Sequence, residues 1–344
     1  ASDDFLYLAG GRHALGINAR TGERKLRFSA PEGRNWGYMG VIGNHLLGSA
    51  VKPKSAYIAD EGEWYDSTKA PEIARLASDS LFSFNRHTGK REWNYKGGLV
   101  MNSTITIADG VVYFVESRNP DAGKLSTSRL APATLNKQHL VALDLTSGRK
   151  LWERPVDFSK CENMLFLVHA EGTLVATGSD RNHMYHTYAY DVSSPALRFK
   201  TEKPEVPELW RQKYDAFKRK NDDGHGEHIQ HPVVIGEAFF ADSRAFHLRT
   251  GKLLPIVFPE RRGCGIMSAS KHSMFYREHF HGMWDLEADK KIQFEGIRSG
   301  CWLGIIPAQG LMLAPESSSG CSCTHSIQTS AAWVPRTVLK KSRR

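Results

Sequence analysis

Cysteine is scarce in this chain. Five cysteines in 344 residues are too few to staple a fold of this length, so stability has to come from a packed apolar core. Long hydrophobic runs are also missing: no stretch of about 18 apolar residues occurs, and no transmembrane helix is expected. The opening residues Ala-Ser-Asp-Asp-Phe hold no basic-then-apolar leader, so the sequence reads as cytosolic, processed, or a piece of something longer. Zinc-finger spacings and RNA-recognition signatures are absent, and nucleic acid is not an expected partner. Acidic residues are outnumbered, 37 against 46 Lys and Arg, giving a net charge of +9. Five of the basic residues lie in a tail from Arg336 to Arg344, which reads as solvated. The remaining excess is compatible with an anionic ligand without naming one. At 40% hydrophobic residues the chain can bury a large core, and all-β folds of this length are often one unit.

What the sequence has in quantity is one recurring segment. Residues 142–152 read Ala-Leu-Asp-Leu-Thr-Ser-Gly-Arg-Lys-Leu-Trp, and versions of this return at 17–28, 83–93 and 245–254, with weaker copies at 189–199 and 283–294. Each is an apolar strand, a polar turn centred on Thr-Gly or its equivalent, and a second strand ending in an apolar or aromatic residue. A hairpin repeated at intervals of tens of residues predicts a propeller or a solenoid. Strand-like runs between the copies fall into sets of four, as in 38–43, 45–50, 80–85 and 91–96, or 103–108, 110–116, 139–144 and 149–153. The expected fold is therefore an all-β propeller of four-stranded antiparallel blades, with about seven blades visible.

The first set (5–9, 13–18, 24–29) and the last (302–307, 311–315, 326–334) have three strands each. Either the two ends complete each other in a seven-bladed ring, or the chain is part of an eight-bladed parent. Residues 1–335 are read as a single propeller whose N-terminal blade is incomplete, and residues 336–344 as a basic tail. Two insertions, 52–78 and 117–137, interrupt the repeat, and the charged stretch Glu208 to Arg219 reads as a short helix.

The Asp-x-x-Thr-Gly-Lys-x-x-Trp pattern resembles the quinoprotein-like β-propeller family, whose repeat takes its name from pyrroloquinoline quinone enzymes. Further matching segments are His-Gly-Glu-His-Ile-Gln-His-Pro at 225–232, Gly-Cys-Gly at 263–265, Met-Trp-Asp-Leu at 283–286, Arg-Ser-Gly-Cys-Trp at 298–302 and Pro-Glu-Ser-Ser-Ser-Gly-Cys-Ser-Cys at 315–323. Together they are similar to the C-terminal part of large exported bacterial propeller proteins with this repeat. The resemblance implies a periplasmic or otherwise extracytoplasmic location, and further blades or another domain upstream, or a partner within a larger protein. It brings pyrroloquinoline quinone with it as a cofactor expectation, and a metal ion is the other. The quinoprotein dehydrogenases set a disulfide between adjacent cysteines over the quinone. This chain has no Cys-Cys pair, which counts against the quinone.

In a propeller, the loop entering each blade's first strand and the loop joining its second and third strands share one face around the central funnel. Cys161, Cys264 and Cys301 precede first strands, as do His225, His228 and His231; Cys321, Cys323, His183, His186, His279 and His281 lie in second-to-third connections. All five cysteines and seven of fifteen histidines thus map to one predicted face. Thiolates with imidazoles suit zinc or copper, which makes Cys264, Cys301, Cys321, Cys323, His279 and His281 candidate metal ligands. The competing reading pairs Cys264 or Cys301 with Cys321 or Cys323 in disulfides that tie the last two blades.

Arg277, Arg298 and Arg181 map to the same face, where a guanidinium fork holds carboxylates or sulfates. His228 and His231, with Glu316, are the candidate acids and bases beside Arg277 and Arg298. Trp302, Arg181 and His186 are the candidate cofactor contacts, with the Trp302 indole offering a stacking surface. Three functions fit this set. The first is a dehydrogenase-type oxidoreductase acting on an alcohol or sugar. The second is a lyase or related enzyme for acidic glycans, with Tyr185 and Tyr188 as further bases. The third is a non-catalytic binding or assembly scaffold. The expected ligand is a small molecule or a glycan.

Overall fold

The computed structural model describes residues 1–53, 55, 77–126, 131–182, 184–198, 205–215, 230–241, 244–256, 258, 261, 266–300, 304–316, 327 and 329–334. The fold is an all-β, seven-bladed propeller of antiparallel sheets. The first blade pairs Phe5–Gly10, His13–Asn18 and Arg24–Ser29, and the second runs Asn35–Ile42, His45–Val51, Ser80–Asn85, Arg91–Tyr95. In the third, Leu99–Met101 and Thr106–Ala108 both pair with Val111–Ser117, followed by Gln138–Asp144 and Lys150–Val156. The fourth comprises Met164–Ala170, Thr173–Ser179, Met184–Asp191 and Glu208–Asp215. Val233–Ile235, Ala238–Ala241 and Arg244–His247 form the fifth, and Ser268–Ala269, Ser273–Glu278, Phe280–Asp285 and Lys290–Phe294 the sixth. The seventh pairs Ile306–Ala308, Leu311–Ala314 and Ala331–Trp333.

Three local expectations are corrected. The stretch from Glu208 is a strand, Glu208–Asp215, in which burial alternates with the pleat: Trp210, Gln212 and Tyr214 turn inward while Arg211, Lys213 and Asp215 are exposed. The second strand expected at the end of the weak copy 189–199 is instead a 3₁₀ turn at Pro195–Arg198, where Pro195 has no N–H to give a ladder. The first strand of the third blade, expected at 103–108, is broken by a 3₁₀ turn at Asn102–Thr104. There the Thr104 hydroxyl donates to the Met101 carbonyl at 2.7 Å and accepts from the Val115 N–H at 2.9 Å. Ala77–Ser78, at the end of the first insertion, pairs along Leu99–Met101 and covers that edge.

The repeated turn has one construction. Its first residue accepts backbone N–H groups two and three positions on: Asn18 from Arg20 and Thr21, Asn85 from His87 and Thr88, Asp285 from Glu287 and Ala288. In the fifth blade the Nδ1 of His247 does the same for Arg249 and Thr250, at 3.3 and 3.4 Å. The fifth position is left-handed, at φ 72° for Gly22, 73° for Gly89, 68° for Gly148 and 67° for Gly251, which is why glycine recurs there. In the sixth blade Asp289 takes that position at φ 45°.

The chain divides into two compact units. One holds the described residues up to Val175 together with Tyr190–Pro207, and the other Ala176–Ala189 and the described residues from Glu208 onward. In the first unit, Tyr7, Phe28, Trp36, Phe82 and Phe84 pack between blades one and two, and Leu47, Leu81, Trp93, Phe114 and Val141 between blades two and three. The Trp93 indole lies over Gly148 of the next blade's turn, where a Cβ would stand 2.5 Å from the ring, and its N–H donates to the Leu145 carbonyl at 2.8 Å. In the second unit Trp210 repeats this on Gly251, with a 2.9 Å bond to the Leu248 carbonyl. Trp152 is buried beside Tyr113 of its own sheet, ring centroids 5.9 Å apart. Also in the second unit, Met274 and Tyr276 point to the fifth blade, while Phe275, one residue between them, packs with Ile305 and Met312 toward the seventh.

Candidate functional site

The sixth blade brings together two of the predicted catalytic residues and one predicted metal ligand. Ser273–Glu278 and Phe280–Asp285 are joined by a tight turn in which His279 takes φ 61°. Arg277 and His281 are direct cross-strand partners, so their side chains leave the sheet on the same side. This is the side of Phe275 and Met283, facing the seventh blade. The Arg277 Nε–H donates to the His279 carbonyl at 3.2 Å.

Arg298 arrives from the chain beyond the fourth strand. Ile297 bridges in parallel to Ile327, and the Gly300 N–H donates to the Pro315 carbonyl at 2.8 Å. Arg298 Nη1 donates to the Ser299 carbonyl at 3.3 Å. Arg277, His281 and Arg298 are all nearly fully buried.

The state of His281 follows from its contacts. Nδ1 lies 2.5 Å from the Ile297 carbonyl, which can only accept, so Nδ1 carries the proton. Burial pushes the imidazole pKa down; the bond to Ile297 opposes this, and the charges of Arg277 and Arg298 add to the fall. A neutral ring protonated on Nδ1 carries a lone pair on Nε2. That atom is buried and has no hydrogen-bond partner among the described residues. The Trp333 ring stands 5.1 Å away, tilted by 58°. The result is a buried acceptor in the field of two nearby cationic side chains, an arrangement suited to an anionic group that also presents a hydroxyl.

The other predicted residues lie elsewhere. Glu316 follows Pro315, so its backbone lies near Gly300; it is half-buried, and its N–H donates to the Ser330 hydroxyl at 3.0 Å. His231 precedes the first strand of the fifth blade with Nδ1 2.8 Å from the Pro232 carbonyl, and burial pushes its pKa down. Arg181 lies in the second-to-third connection of the fourth blade, whereas His186, expected there too, lies within the third strand, Met184–Asp191. There His186 Nε2 is 3.0 Å from Asp180, and the other carboxylate oxygen accepts from the Asn182 and Met184 N–H groups. Burial pushes the Asp180 pKa up, but these bonds outweigh it and hold the carboxyl below its ordinary value. Arg181 is exposed.

His228, Trp302, Cys264, Cys301, Cys321 and Cys323 fall outside the described residues. Cys161 is buried. Among the described residues no group of three His, Cys, Asp or Glu is placed to hold a metal ion.

The first unit holds two polar clusters that the sequence reading missed. Ser49, Ser78 and Asn102 form one: the Ser78 hydroxyl donates to the Asn102 side chain at 2.5 Å and lies 2.8 Å from Ser49. The second centres on Glu116, which accepts from the Tyr95 hydroxyl at 3.0 Å, the Gly98 N–H at 2.9 Å and Arg118 Nε at 2.8 Å. Arg118 also grips Glu153 through both Nη atoms, at 3.0 and 2.6 Å. The Gly97-Gly98 pair was the available signal, because a Cβ at Gly97 would overlap Tyr95 and Glu116, and one at Gly98 the Ser117 carbonyl.

Arg118, with Lys150, holds the Glu153 carboxyl at a pKa of about 2, against an ordinary value of 4.5. A depressed carboxyl contributes stability above its unfolded pKa and loses it as pH falls through the folded one. Glu153→Gln is therefore expected to lower stability at neutral pH and to flatten the decline between pH 4.5 and about 2. Denaturant melts at stepped pH would show this; parallel curves for the two proteins would count against it.

A search of protein-family models finds no match to this chain, and a search of curated proteins finds none either. Solved structures share the fold. The crystal structure of BamB from Moraxella catarrhalis aligns with a TM-score of 0.52 at 12% identity, over 93% of this chain and 81% of that one. A computationally designed protein, Ika8, aligns with a TM-score of 0.54 at 9% identity, over 91% and 78%. At such identity the likeness establishes the β-propeller fold alone, and a designed protein on the same fold illustrates that the architecture carries no particular activity with it.

Proposed function

We propose that this chain is a β-propeller recognition module whose ligand, a small molecule or glycan, presents a carboxylate or sulfate to Arg277 and Arg298. The observation that carries this is the buried His281 imidazole, its Nε2 without a hydrogen-bond partner among the described residues, close to the positive charges of buried Arg277 and Arg298. Burial limits the ligand to a group that projects inward, and favours a compact anion over the flat face of a ring. The net charge of +9 assists the approach of an anionic partner. A place in a larger extracytoplasmic assembly is in keeping with the propeller and with the exported proteins its motifs resemble.

Calorimetry with oligogalacturonate, a heparin-derived oligosaccharide and a neutral dextran oligomer tests the reading. An anionic ligand is expected to bind, with affinity falling as salt rises. Arg277→Gln with Arg298→Gln is expected to weaken it by about ten- to a hundredfold, the loss of one or two charge-assisted bonds. Equal binding of dextran, or an unchanged double variant, would overturn it.

A lyase acting on an acidic polysaccharide is the second reading, favoured by the fixed tautomer of His281. Nε2 would take the proton α to the carboxylate, the guanidinium groups would stabilise the resulting charge, and the β C–O bond would break to leave an unsaturated product. Absorbance near about 235 nm in the oligogalacturonate mixture would reveal that product. A dehydrogenase would require a quinone or metal as well. Arg277 and Arg298 would meet a quinone's carboxylates as readily as a sugar acid's. The residues that would separate the two, Trp302 and the four clustered cysteines, lie outside the described set.

A further inference from the structure

Charge explains Arg277 and Arg298 as holders of an anion, and it leaves His281 without a task. The ring spends its Nδ1 proton on the Ile297 carbonyl at 2.5 Å. Its Nε2 keeps a lone pair, is buried, and has no hydrogen-bond partner among the described residues. The whole residue is 1% exposed. A buried acceptor that stays unpaired costs its full desolvation. A bare carboxylate does not relieve this, because it brings acceptors only. A cationic donor is disfavoured, since the positive charges of Arg277 and Arg298 already act on the ring. The group that meets Nε2 is therefore a neutral donor, and a hydroxyl is the smallest one.

The backbone limits how far that hydroxyl can stand from the anionic group. Arg277 is the direct cross-strand partner of His281, and the Cβ atoms of such a pair lie about 4.5–5.5 Å apart. The Arg277 Nε–H is committed to the His279 carbonyl at 3.2 Å, which ties the stem to the turn end of the hairpin, where His281 also lies. Arg298 is bonded to the very carbonyl group, that of Ile297, on which the imidazole is anchored. The imidazole is thus linked to one arginine by strand register and to the other through a single peptide group. A ligand that meets all three side chains has to carry its hydroxyl and its charge close together. Trp333, packed on Phe294 and with its ring 5.1 Å from the imidazole, adds an apolar surface for a short carbon skeleton.

We propose, resting on the anion-binding reading above, that the ligand class of this site is a small 2-hydroxycarboxylate. Its carboxylate lies on Arg277 and Arg298, and the hydroxyl of the adjacent carbon donates to His281 Nε2. A site built to pair a hydroxyl discriminates against the analogue that lacks one, because its own polar atom is then left unpaired.

The probes are lactate, 3-hydroxypropionate and propionate, added to the full chain labelled with ¹⁵N-histidine. Lactate is expected to bind and to move the His281 Nε2 resonance, assigned through its ring couplings. Propionate is expected to bind at least about tenfold more weakly, the cost of one unpaired buried polar atom, and to leave Nε2 in place. With its hydroxyl one carbon further out, 3-hydroxypropionate should behave more like propionate than like lactate. In His281→Phe, its fold checked by circular dichroism, the preference for lactate over propionate should vanish; the resonance in the unaltered chain gives an answer even if that variant does not fold. Equal affinities for lactate and propionate, or an Nε2 resonance unmoved by lactate, would overturn the inference, as would tighter binding of 3-hydroxypropionate. Absent lactate binding would also overturn it. The anion-binding reading then stands if the acidic oligosaccharides bind with dependence on Arg277 and Arg298, and falls with it if they do not.

Discussion

Trp93→Ala is expected to lower the unfolding free energy of the chain by about 3–5 kcal/mol, the usual cost of emptying a buried tryptophan site. The indole is shared between blades two and three, in a cluster with Leu47, Leu81, Phe114 and Val141. Nothing nearby can collapse into the space, because the atoms beneath it are the backbone of Gly148. Removal also strips the Leu145 carbonyl of its donor. Trp93→Phe separates the two contributions: it keeps most of the apolar contact and loses the hydrogen bond, and should cost about 1 kcal/mol on the bonding term, with loss of ring area added. Gly148→Ala approaches the same joint from below, combining a Cβ 2.5 Å from the ring with φ of 68°. Urea midpoints at constant slope would measure all three. A cost below about 1 kcal/mol for Trp93→Ala, the size of an ordinary surface change, would show that the joint is not a principal source of stability.

Glu116→Ala should be comparably damaging, at about 3–5 kcal/mol, because it removes one member of a buried charged network and leaves the others uncompensated. Glu116 has no exposed surface, and three donors converge on it. Burial raises the Tyr95 hydroxyl pKa well above its ordinary value, and the negative charge of Glu116 adds to the rise. The hydroxyl therefore stays protonated and donates. In the alanine variant the Tyr95 hydroxyl, the Gly98 N–H and Arg118 Nε would each need water in a site built without room for it. Glu116→Gln retains the shape and should recover part of the loss, and Tyr95→Phe should cost less than either. Equal losses for Glu116→Ala and Tyr95→Phe would argue that the carboxylate is not the centre of the network.

The propeller was legible because its turn is written in residues with few substitutes. Asn18, Asn85, Asp144 and Asp285 fold back on their own backbone, and Gly22, Gly89, Gly148 and Gly251 occupy a conformation that a side chain disfavours. The region after Pro195 was misread for a physical reason. Glu208, Arg211 and Lys213 gave the stretch a solvated, helix-like composition, while the information lay in only two residues, Trp210 and Tyr214, two turns of the pleat apart.

Site residues were legible in type and only partly in place. Arg277 and Arg298 were singled out as catalytic candidates and His281 as a metal ligand, and strand registers were needed to show Arg277 opposite His281. The state of His281 depends on the Ile297 carbonyl, a backbone atom with no sequence signature. Glu116 was invisible for a related reason. It sits in a run, Val111–Ser117, in which every residue is buried, and its partners are Tyr95, Gly98 and Arg118.

The pairing of Trp93 with Gly148 and of Trp210 with Gly251 also bears on how such a chain changes over generations. Blade two encodes both a plug, Trp93 on its outer strand, and a socket, Gly89 in its turn. Duplicating one repeat therefore copies a finished connector of both genders, and deleting one leaves the flanking pair compatible. Blade number can then drift by whole repeats without any new interface having to arise, while a single substitution at a socket glycine would break the series at that point.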